Sequence, residues 1–168
     1  MSGEWLPELL LFEDSAGNWN HYVDRLHRQF LADFVKSRPG WPGKEVRLKR
    51  HPEYDGKSAT FWHMVSEGDV ETERTPDLRR CERIAWPRPV MDEFDDAAPG
   101  TTGCRVAWWT ELRGTETRYH LALDDFSYVV VVADRERFVL PWTAYYVEHA
   151  WRREKLRKKW RDFWARKS

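Results

Sequence analysis

Apolar residues near the start of the chain recur at spacings of three and four positions. They are Val23, Leu26, Phe30, Leu31 and Phe34. This spacing places them on one face of a helix. Asn18 and Asn20 are suitable N-caps, and the turn residues of segment 37–43 end the pattern. The sequence therefore predicts a scaffold helix from about residue 18 to residue 37.

The pattern changes after residue 44. Segments 45–50 and 58–65 resemble strands, and they are separated by Pro52 and by an Asp55-Gly56 turn signal. We therefore expect two short strands to follow the first helix.

A second helical pattern begins near residue 75. Thr75 is a favourable N-cap and Pro76 is favourable in a first helical turn, so a helix is predicted over residues 76–85. Segment 93–103 is acidic and contains proline and glycine, which predicts a loop.

The last third of the chain predicts a sheet. Four strand-like segments, 104–112, 118–123, 128–133 and 138–145, are joined by short turns. Connections this short favour antiparallel pairing, because parallel pairs need long crossovers. The third segment is continuously apolar, as expected for a central strand, and Pro141 in the fourth indicates an edge or a bulge.

These patterns define a fold class. We expect an α+β protein with N-terminal helices packed on a twisted antiparallel sheet of four or more strands and a basic C-terminal helix. At 168 residues the chain fits one domain, divided into a helical region (1–44), a helix-plus-sheet core (45–147) and the basic helix (148–168).

Cysteine usage and hydropathy exclude several classes. Cys81 and Cys104 fit no metal-binding spacing, and the histidines form no ligand motif, so we expect no metal and no cofactor. No segment has the pattern of a signal peptide or a membrane span. The sequence therefore predicts a cytoplasmic protein with reduced thiols and no membrane association.

Charge is unevenly distributed, although the formal net charge is zero. Residues 148–168 contain nine basic and three acidic side chains, a net charge of +6 that the rest of the chain balances. This asymmetry indicates an acidic partner for the helix, either RNA or the acidic body of the same protein. The candidate RNA contacts of the helix are Arg152, Arg153, Lys155, Lys158 and Lys159.

Three segments, 61–65, 76–87 and 135–145, together resemble a known family. They are similar to phage-associated nuclease-like domains of the barnase, EndoU, colicin and RelE superfamily. The resemblance implies metal-independent RNA cleavage in a cleft lined by a histidine from an early strand, an arginine, and a threonine and tyrosine from the last strand. The matching residues are His63, Arg135 or Arg137, Thr143 and Tyr145. The chain departs from the pattern at Pro141-Trp142, where the family has a small aliphatic pair.

The chemistry of these residues also fits RNA cleavage when the family resemblance is left aside. RNA cleavage without a metal needs a base for the 2′-hydroxyl, an acid for the leaving oxygen and cations for the phosphorane, and it yields a 2′,3′-cyclic phosphate. His63 can serve as base or acid because the unperturbed pKa of histidine lies near neutrality, and either Arg135 or Arg137 can bind two phosphate oxygens. Thr143 and Tyr145 alternate with Trp142 and Tyr146, so the two pairs are expected on opposite strand faces. Trp62, Trp108 and Trp109 are candidates for stacking an unpaired base.

Each residue also has a purely structural interpretation. His63 fits a hydrogen-bonded core histidine, the arginines fit surface charges, and Thr143 and Tyr145 are good strand formers. The leading hypothesis is an endoribonuclease-like domain that acts on RNA, and the further candidate partner is either another protein or a neutralising inhibitor. The alternative is a non-catalytic phage or mobile-element accessory protein that binds another protein or RNA through an aromatic-rich surface. A small-molecule pocket in the sheet is a third possibility.

Overall fold

The computed structural model describes residues 4–70, 73–96 and 105–167, and it has the α+β architecture that the sequence predicts. The helices are α1 (Trp19–Phe34), α2 (Ala59–Val65), α3 (Leu78–Glu82), α4 (Pro87–Asp92) and α5 (Ala150–Lys167). The strands are β1 (Glu45–Val46), β2 (Ser66–Glu67), β3 (Thr75–Pro76), β4 (Val106–Arg113), β5 (Glu116–Leu123), β6 (Tyr128–Asp134) and β7 (Phe138–Tyr146). A short 3₁₀ turn, Phe12–Ser15, precedes α1.

Strands β4 to β7 form the predicted antiparallel meander. Within the described ranges the main sheet has five strands in the order β1-β7-β6-β5-β4, and β2 and β3 form a separate hairpin. The predicted antiparallel sheet of four or more strands is thus confirmed, and β1 adds a fifth strand by pairing with β7 in parallel, so that the whole sheet is mixed. A parallel pair requires a long crossover, and the helices between β1 and β7 provide it.

The first helix is confirmed and ends slightly earlier than predicted. Asn18 caps it, since its side-chain oxygen accepts a hydrogen bond from the backbone N–H of His21 at 3.1 Å. The predicted apolar face is buried, and Phe30 packs edge-on against Phe61 of α2 with ring centroids 5.6 Å apart. This contact joins α1 to the core beneath the sheet.

The strand predicted over residues 58–65 is wrong, since residues Ala59–Val65 form α2. Ser58 caps this helix by accepting a hydrogen bond from the backbone N–H of Phe61. Almost every side chain of α2 is buried, so its sequence shows no periodicity that could separate a short helix from a buried strand. Of the strand predicted over residues 45–50, only Glu45–Val46 forms.

The second predicted helix is real but shorter and is capped differently. Asp77, rather than Thr75, is the N-cap, and its carboxylate accepts from the backbone N–H groups of Arg79 and Arg80. Thr75–Pro76 instead forms β3. Part of the loop predicted over residues 93–103, the start of the 104–112 strand, and Cys104 lie outside the described residues. Cys81 is buried, and burial raises the pKa of its thiol to about 12.

The main sheet has two different faces. Helices α2, α3 and α4 contact the first, here called the covered face, and its side chains join the larger apolar core. The second, here called the open face, carries a smaller apolar cluster that packs against α5. The α5 residues that face the sheet recur at helical spacing and are Arg153, Leu156, Arg157, Trp160, Phe163 and Trp164. The basic C-terminal helix is thus confirmed.

A β-bulge interrupts β7 where Pro141 indicated an edge or a bulge. Val131 pairs with Thr143 and Val132 pairs with Pro141, so Trp142 is the extra residue. The prediction that Trp142 faces away from Thr143 is wrong, because the bulge resets the alternation and both side chains line one cleft. Within the described part of the chain, no helix is both long and apolar enough to cross a membrane.

Candidate functional site

A cleft of about 420 Å³ lies on the part of the open face that α5 leaves uncovered. Its floor comes from β4, β5, β6 and β7, and its rim comes from the end of α2, the β2–β3 hairpin and α3. The charged and polar side chains that line it are His63, Glu67, Asp69, Arg74, Arg80, Glu111, Arg113, Arg118, His120, Thr143 and Tyr145. Four arginines and three acids make the cleft slightly cationic.

A carboxylate and a histidine are adjacent on the floor of the cleft. The Nε2 atom of His120 lies 3.3 Å from Oε2 of Glu111, and Nδ1 lies 3.3 Å from the backbone carbonyl of Arg118. The backbone carbonyl and the carboxylate are both acceptors, so a neutral ring donates its single N–H to one of them. Burial lowers the pKa of His120, and the charge of Glu111 offsets this only in part. The imidazole is therefore neutral at neutral pH.

Glu111 remains ionised beside this ring. Burial acts to raise the pKa of Glu111, but the hydrogen bond from Trp109, the charge that His120 gains when it is protonated and the charge of Lys159 together outweigh burial and hold the pKa below its usual range. The indole N–H of Trp109 donates to Oε2 at 2.9 Å, and Nζ of Lys159 lies 3.2 Å from Oε1. The carboxylate is thus fixed in position and able to accept a proton.

Arg80 of α3 is held against β7. One guanidinium nitrogen donates to Oγ1 of Thr143 at 3.1 Å and to the Ser66 carbonyl at 2.7 Å, and the guanidinium lies 6.0 Å from the ring centre of Tyr145. Its carboxylate neighbours are looser, with Asp77 at 3.5 Å and Glu67 at 3.9 Å. Arg80 is therefore a positioned cation with weak ion pairs.

The hairpin at the rim of the cleft depends on a glycine. Gly68 has a φ of +134°, and a Cβ there would lie 3.3 Å from the Cα of Arg74. The close approach allows Arg74 to donate to the Gly68 carbonyl at 2.7 Å and to the Ser66 carbonyl at 2.6 Å. The rim is consequently tied back onto the hairpin.

Cations surround the indole of Trp142. Arg118 lies 4.7 Å, Lys49 5.2 Å and Arg135 5.7 Å from its ring. Glu116 pairs with two of them, contacting Arg118 at 2.9 Å and Arg135 at 2.7 Å. Cation–π contacts and one carboxylate thus hold three positive charges at the edge of the cleft.

The structure brings His63, Thr143 and Tyr145 together, as predicted, but in altered settings. His63 comes from a helix rather than a strand and is only 3 % exposed, with its ring edge-on to Trp142 at 5.0 Å. Thr143 does not offer its hydroxyl hydrogen to a ligand, because it donates to the His63 carbonyl at 2.9 Å. Burial raises the pKa of Tyr145 to about 12, so its hydroxyl stays protonated at neutral pH.

The two predicted arginines lie outside the lining of the cleft. Arg135 reaches only its edge through Trp142 and Glu116. Arg137 is exposed on the turn before β7 and is not among the lining residues. Arg135 is held at the edge by these contacts, Arg137 is exposed, and other arginines occupy the cleft.

The three predicted base-stacking tryptophans do not share a surface. Trp109 is 1 % exposed and stacks on His120 beneath α5, so it offers no free face. Trp108 packs against Trp164, whose indole N–H donates to the Trp108 carbonyl at 2.6 Å. Trp62 lies away from the cleft, where its N–H donates to the Tyr54 carbonyl at 2.9 Å. Trp109 is thus removed by burial and Trp108 by its packing against α5, whereas the half-buried Trp62 belongs to a different surface.

The basic residues of α5 have different surroundings. Arg153 packs inward and donates to the Val147 carbonyl at 2.8 Å, and Lys159 pairs with Glu111. Lys158 pairs with Asp162 at 2.9 Å, whereas Arg152 and Lys155 are exposed. Part of the basic excess thus contacts the acidic body of the same chain, which is one of the two partners that the charge asymmetry indicated.

Sequence reasoning missed eight of the eleven charged and polar residues of the cleft. The four that bear most on its chemistry are Arg80, Glu111, Arg118 and His120. The alternation of β5 carried a signal, since Arg118 and His120 are two apart and therefore share a strand face. The positions of Arg80 and Glu111 relative to them depend on tertiary packing.

No family model, curated protein or solved structure matches this chain. Among residues 4–70, 73–96 and 105–167, no cluster of three or more His, Cys, Asp or Glu side chains is arranged to hold a metal ion.

Proposed function

We propose that this cleft cleaves RNA by metal-independent general acid–base catalysis and leaves a 2′,3′-cyclic phosphate. One observation carries the proposal: two histidines, an ionised glutamate, a neutral tyrosine and several guanidinium groups line a single cleft. The resemblance to the barnase, EndoU, colicin and RelE superfamily supports the same class of reaction.

The arginines provide the positive charge that a phosphate requires. Arg80 and Arg118 approach from different walls, one beside Thr143 and one over Trp142. Fixed cations around the phosphorus stabilise the charge of a pentavalent phosphorane without reorganising. Tyr145, which is protonated, adds a neutral hydrogen-bond donor. Thr143 is a positioning residue, since it fixes Arg80 and the backbone of His63.

Proton transfer is assigned to Glu111 and the two histidines. Glu111 is ionised and takes the proton of the 2′-hydroxyl, and His120, 3.3 Å away, holds the carboxylate in position. His63 comes from α2, which packs on β7, and β6 separates β7 from β5, which carries His120. We assign the protonation of the leaving oxygen to His63, because in-line cleavage needs its acid and its base on opposite sides of the phosphorus.

A cleavage assay in EDTA tests this assignment. An RNA oligonucleotide is incubated with the wild type and with the Glu111→Gln, His120→Asn and His63→Gln variants, and product ends are examined for cyclic phosphate. We expect cleavage by the wild type and a loss of about 10²-fold or more in each variant. Circular dichroism of each variant checks that it folds.

The possible results test the role of each residue separately from the proposed reaction itself. Full activity in folded His63→Gln would remove His63 from the mechanism while leaving the Glu111–His120 pair. A folded wild type that yields no cyclic phosphate from any RNA would refute the proposal.

A non-catalytic binding protein is the second candidate function. It is supported by the ion pairs of the cleft arginines, since Glu116 already contacts Arg118, and Asp77 and Glu67 lie near Arg80. Such pairs reduce the charge that a phosphate meets. Binding of an RNA strand without its cleavage would favour this second candidate function.

We propose a cytoplasmic location for either activity. Cys81 is present as a buried thiol, which fits a reducing compartment. A ribonuclease in that compartment would need a neutralising protein partner, and the cleft is the surface that such an inhibitor would cover. Co-expression with a candidate inhibitor, scored by protection of cellular RNA, tests this partner.

A further inference from the structure

A second groove, of about 530 Å³, lies between β4 and α5. Its lining residues are Trp109, Thr110, Glu111, Leu112, Lys159, Asp162, Phe163, Arg166 and Lys167. Since an α-helix rises 1.5 Å per residue, the interval from Lys159 to Lys167 extends about 12 Å along the helix. The groove is therefore long enough for more than one nucleotide.

This groove is continuous with the cleft. Glu111 and Leu112 line both the groove and the cleft. The two depressions therefore meet at these residues, near the end of β4. Leu112 is 72 % exposed although it is a large apolar residue. An exposed leucine between two polar depressions offers an apolar contact to a ligand that passes from one to the other.

The charge of the groove is concentrated at its far end. Glu111 pairs with Lys159, and Asp162 pairs with Lys158, so both acids of the groove already have cationic partners. Among the described residues Arg166 and Lys167 have no carboxylate partner, and Nζ of Lys167 lies 5.3 Å from the ring centre of Phe163. These two side chains are available to an external anion.

We propose that the groove binds the sugar-phosphate backbone of single-stranded RNA whose scissile phosphate lies in the cleft. The RNA crosses β4 at Leu112, and Arg166 and Lys167 contact the RNA phosphates that lie beyond this crossing. This inference rests on the proposed ribonuclease function and adds that the substrate is an extended single strand of several nucleotides rather than a mononucleotide or dinucleotide.

A binding assay tests the groove without relying on cleavage. The probe is a fluorescent 2′-O-methyl RNA of about ten nucleotides, which lacks the attacking hydroxyl and stays intact. The double variant Arg166→Gln/Lys167→Gln is compared with Lys36→Gln/Arg161→Gln, which removes the same charge from exposed positions outside the groove. Anisotropy is measured over a series of salt concentrations.

We expect the groove variant to bind roughly tenfold more weakly than the wild type. Its slope of log K against log salt should fall by about 1.4, because each neutralised phosphate of a single strand contributes about 0.7. The control variant should keep the slope of the wild type. Equal losses in the two variants, or no loss in the groove variant, would overturn the inference, as would a wild type that does not bind the probe.

Cleavage of substrates of different length separates the two proposals. If the wild type cleaves RNA, the groove variant should lose efficiency on a decanucleotide but not on a dinucleotide. If the wild type cleaves nothing while the groove variant alone loses binding, the groove inference stands and the ribonuclease proposal fails. If cleavage occurs and is equally affected by both variants at every length, the ribonuclease proposal stands and the groove inference fails.

Discussion

The two faces of the main sheet differ, although the same strands build them. On the covered face, Leu121, Val130, Val132 and Ala144 are buried under the helices and form one continuous apolar core. On the open face, α5 covers one apolar end, and the other end carries the polar side chains of the cleft. One face thus stabilises the fold, and incomplete coverage of the other leaves room for a ligand.

Strand β5 shows how the sequence produces this difference. From Tyr119 onwards its covered-face residues are apolar or aromatic, whereas its open-face residues change from Arg118 and His120 to Ala122. The change falls where α5 begins to cover the sheet, because Ala122 belongs to the cluster beneath α5. The division between core and cleft is therefore encoded within one strand.

The largest effect is expected from an alanine substitution on the covered face. Leu121 is 0 % exposed, so Leu121→Ala should lower the free energy of unfolding by about 4 kcal/mol through lost burial and a cavity. Leu112→Ala makes the same substitution at an exposed site of β4 and should alter the free energy of unfolding by less than about 0.5 kcal/mol. Urea denaturation of both variants makes the comparison. Equal losses would mean that the two sites are not differently buried.

A smaller loss is expected from the helix that covers the open face. Phe163 is 9 % exposed and packs against Trp108 and Trp164, so Phe163→Ala should cost about 3 kcal/mol. The matched control is Trp151→Ala on the same helix, where the side chain is 65 % exposed and a change below about 0.5 kcal/mol is expected. Thermal and urea unfolding both report the difference. A neutral Phe163→Ala would show that α5 is not part of the packed structure.

The smallest effect is a pH dependence of stability from the cleft floor. Burial lowers the pKa of His120 in the folded protein below its ordinary value of 6.5, so below that pH the unfolded chain binds a proton that the folded chain resists. Wild-type stability should therefore fall relative to His120→Asn as pH drops through 6.5 towards the folded pKa. The pKa of His27 is also lowered, but His27 is present in both proteins and cancels in the difference.

Urea unfolding of the two proteins between about pH 7 and pH 5 measures this difference. A difference that stays constant, or that grows in favour of the wild type on acidification, would contradict the burial of a neutral His120.

The sequence predicted the parts of the fold that have a clear period. The sixteen-residue helix α1 and the four-strand meander follow from alternation, turns and capping residues. It failed at α2, because a helix of seven residues with almost every side chain buried has no polar face to reveal its period. The sequence also did not predict the parallel pairing of β1, because the pairing of a two-residue strand is determined by the strand that it contacts in the folded protein.

The site was predictable only in part for a similar reason. Thr143 and Tyr145 share a face by strand alternation, and His63 joins them through the hydrogen bond from Thr143 to its carbonyl. Arg80 reaches the same place from 63 positions away, a contact that no local pattern encodes. The bulge at Trp142 shifted the alternation by one residue, which is why the predicted orientation of that side chain was wrong.

The most direct test of the account compares two arginines that differ in position but not in chemistry. Arg118 lines the cleft, and Arg137 lies on an exposed turn outside it. RNA cleavage in EDTA should fall about 10²-fold in Arg118→Ala and remain at the wild-type rate in Arg137→Ala. Equal loss in both variants, or full activity in a folded Arg118→Ala, would contradict the claim that the cleft on the open face is the catalytic site.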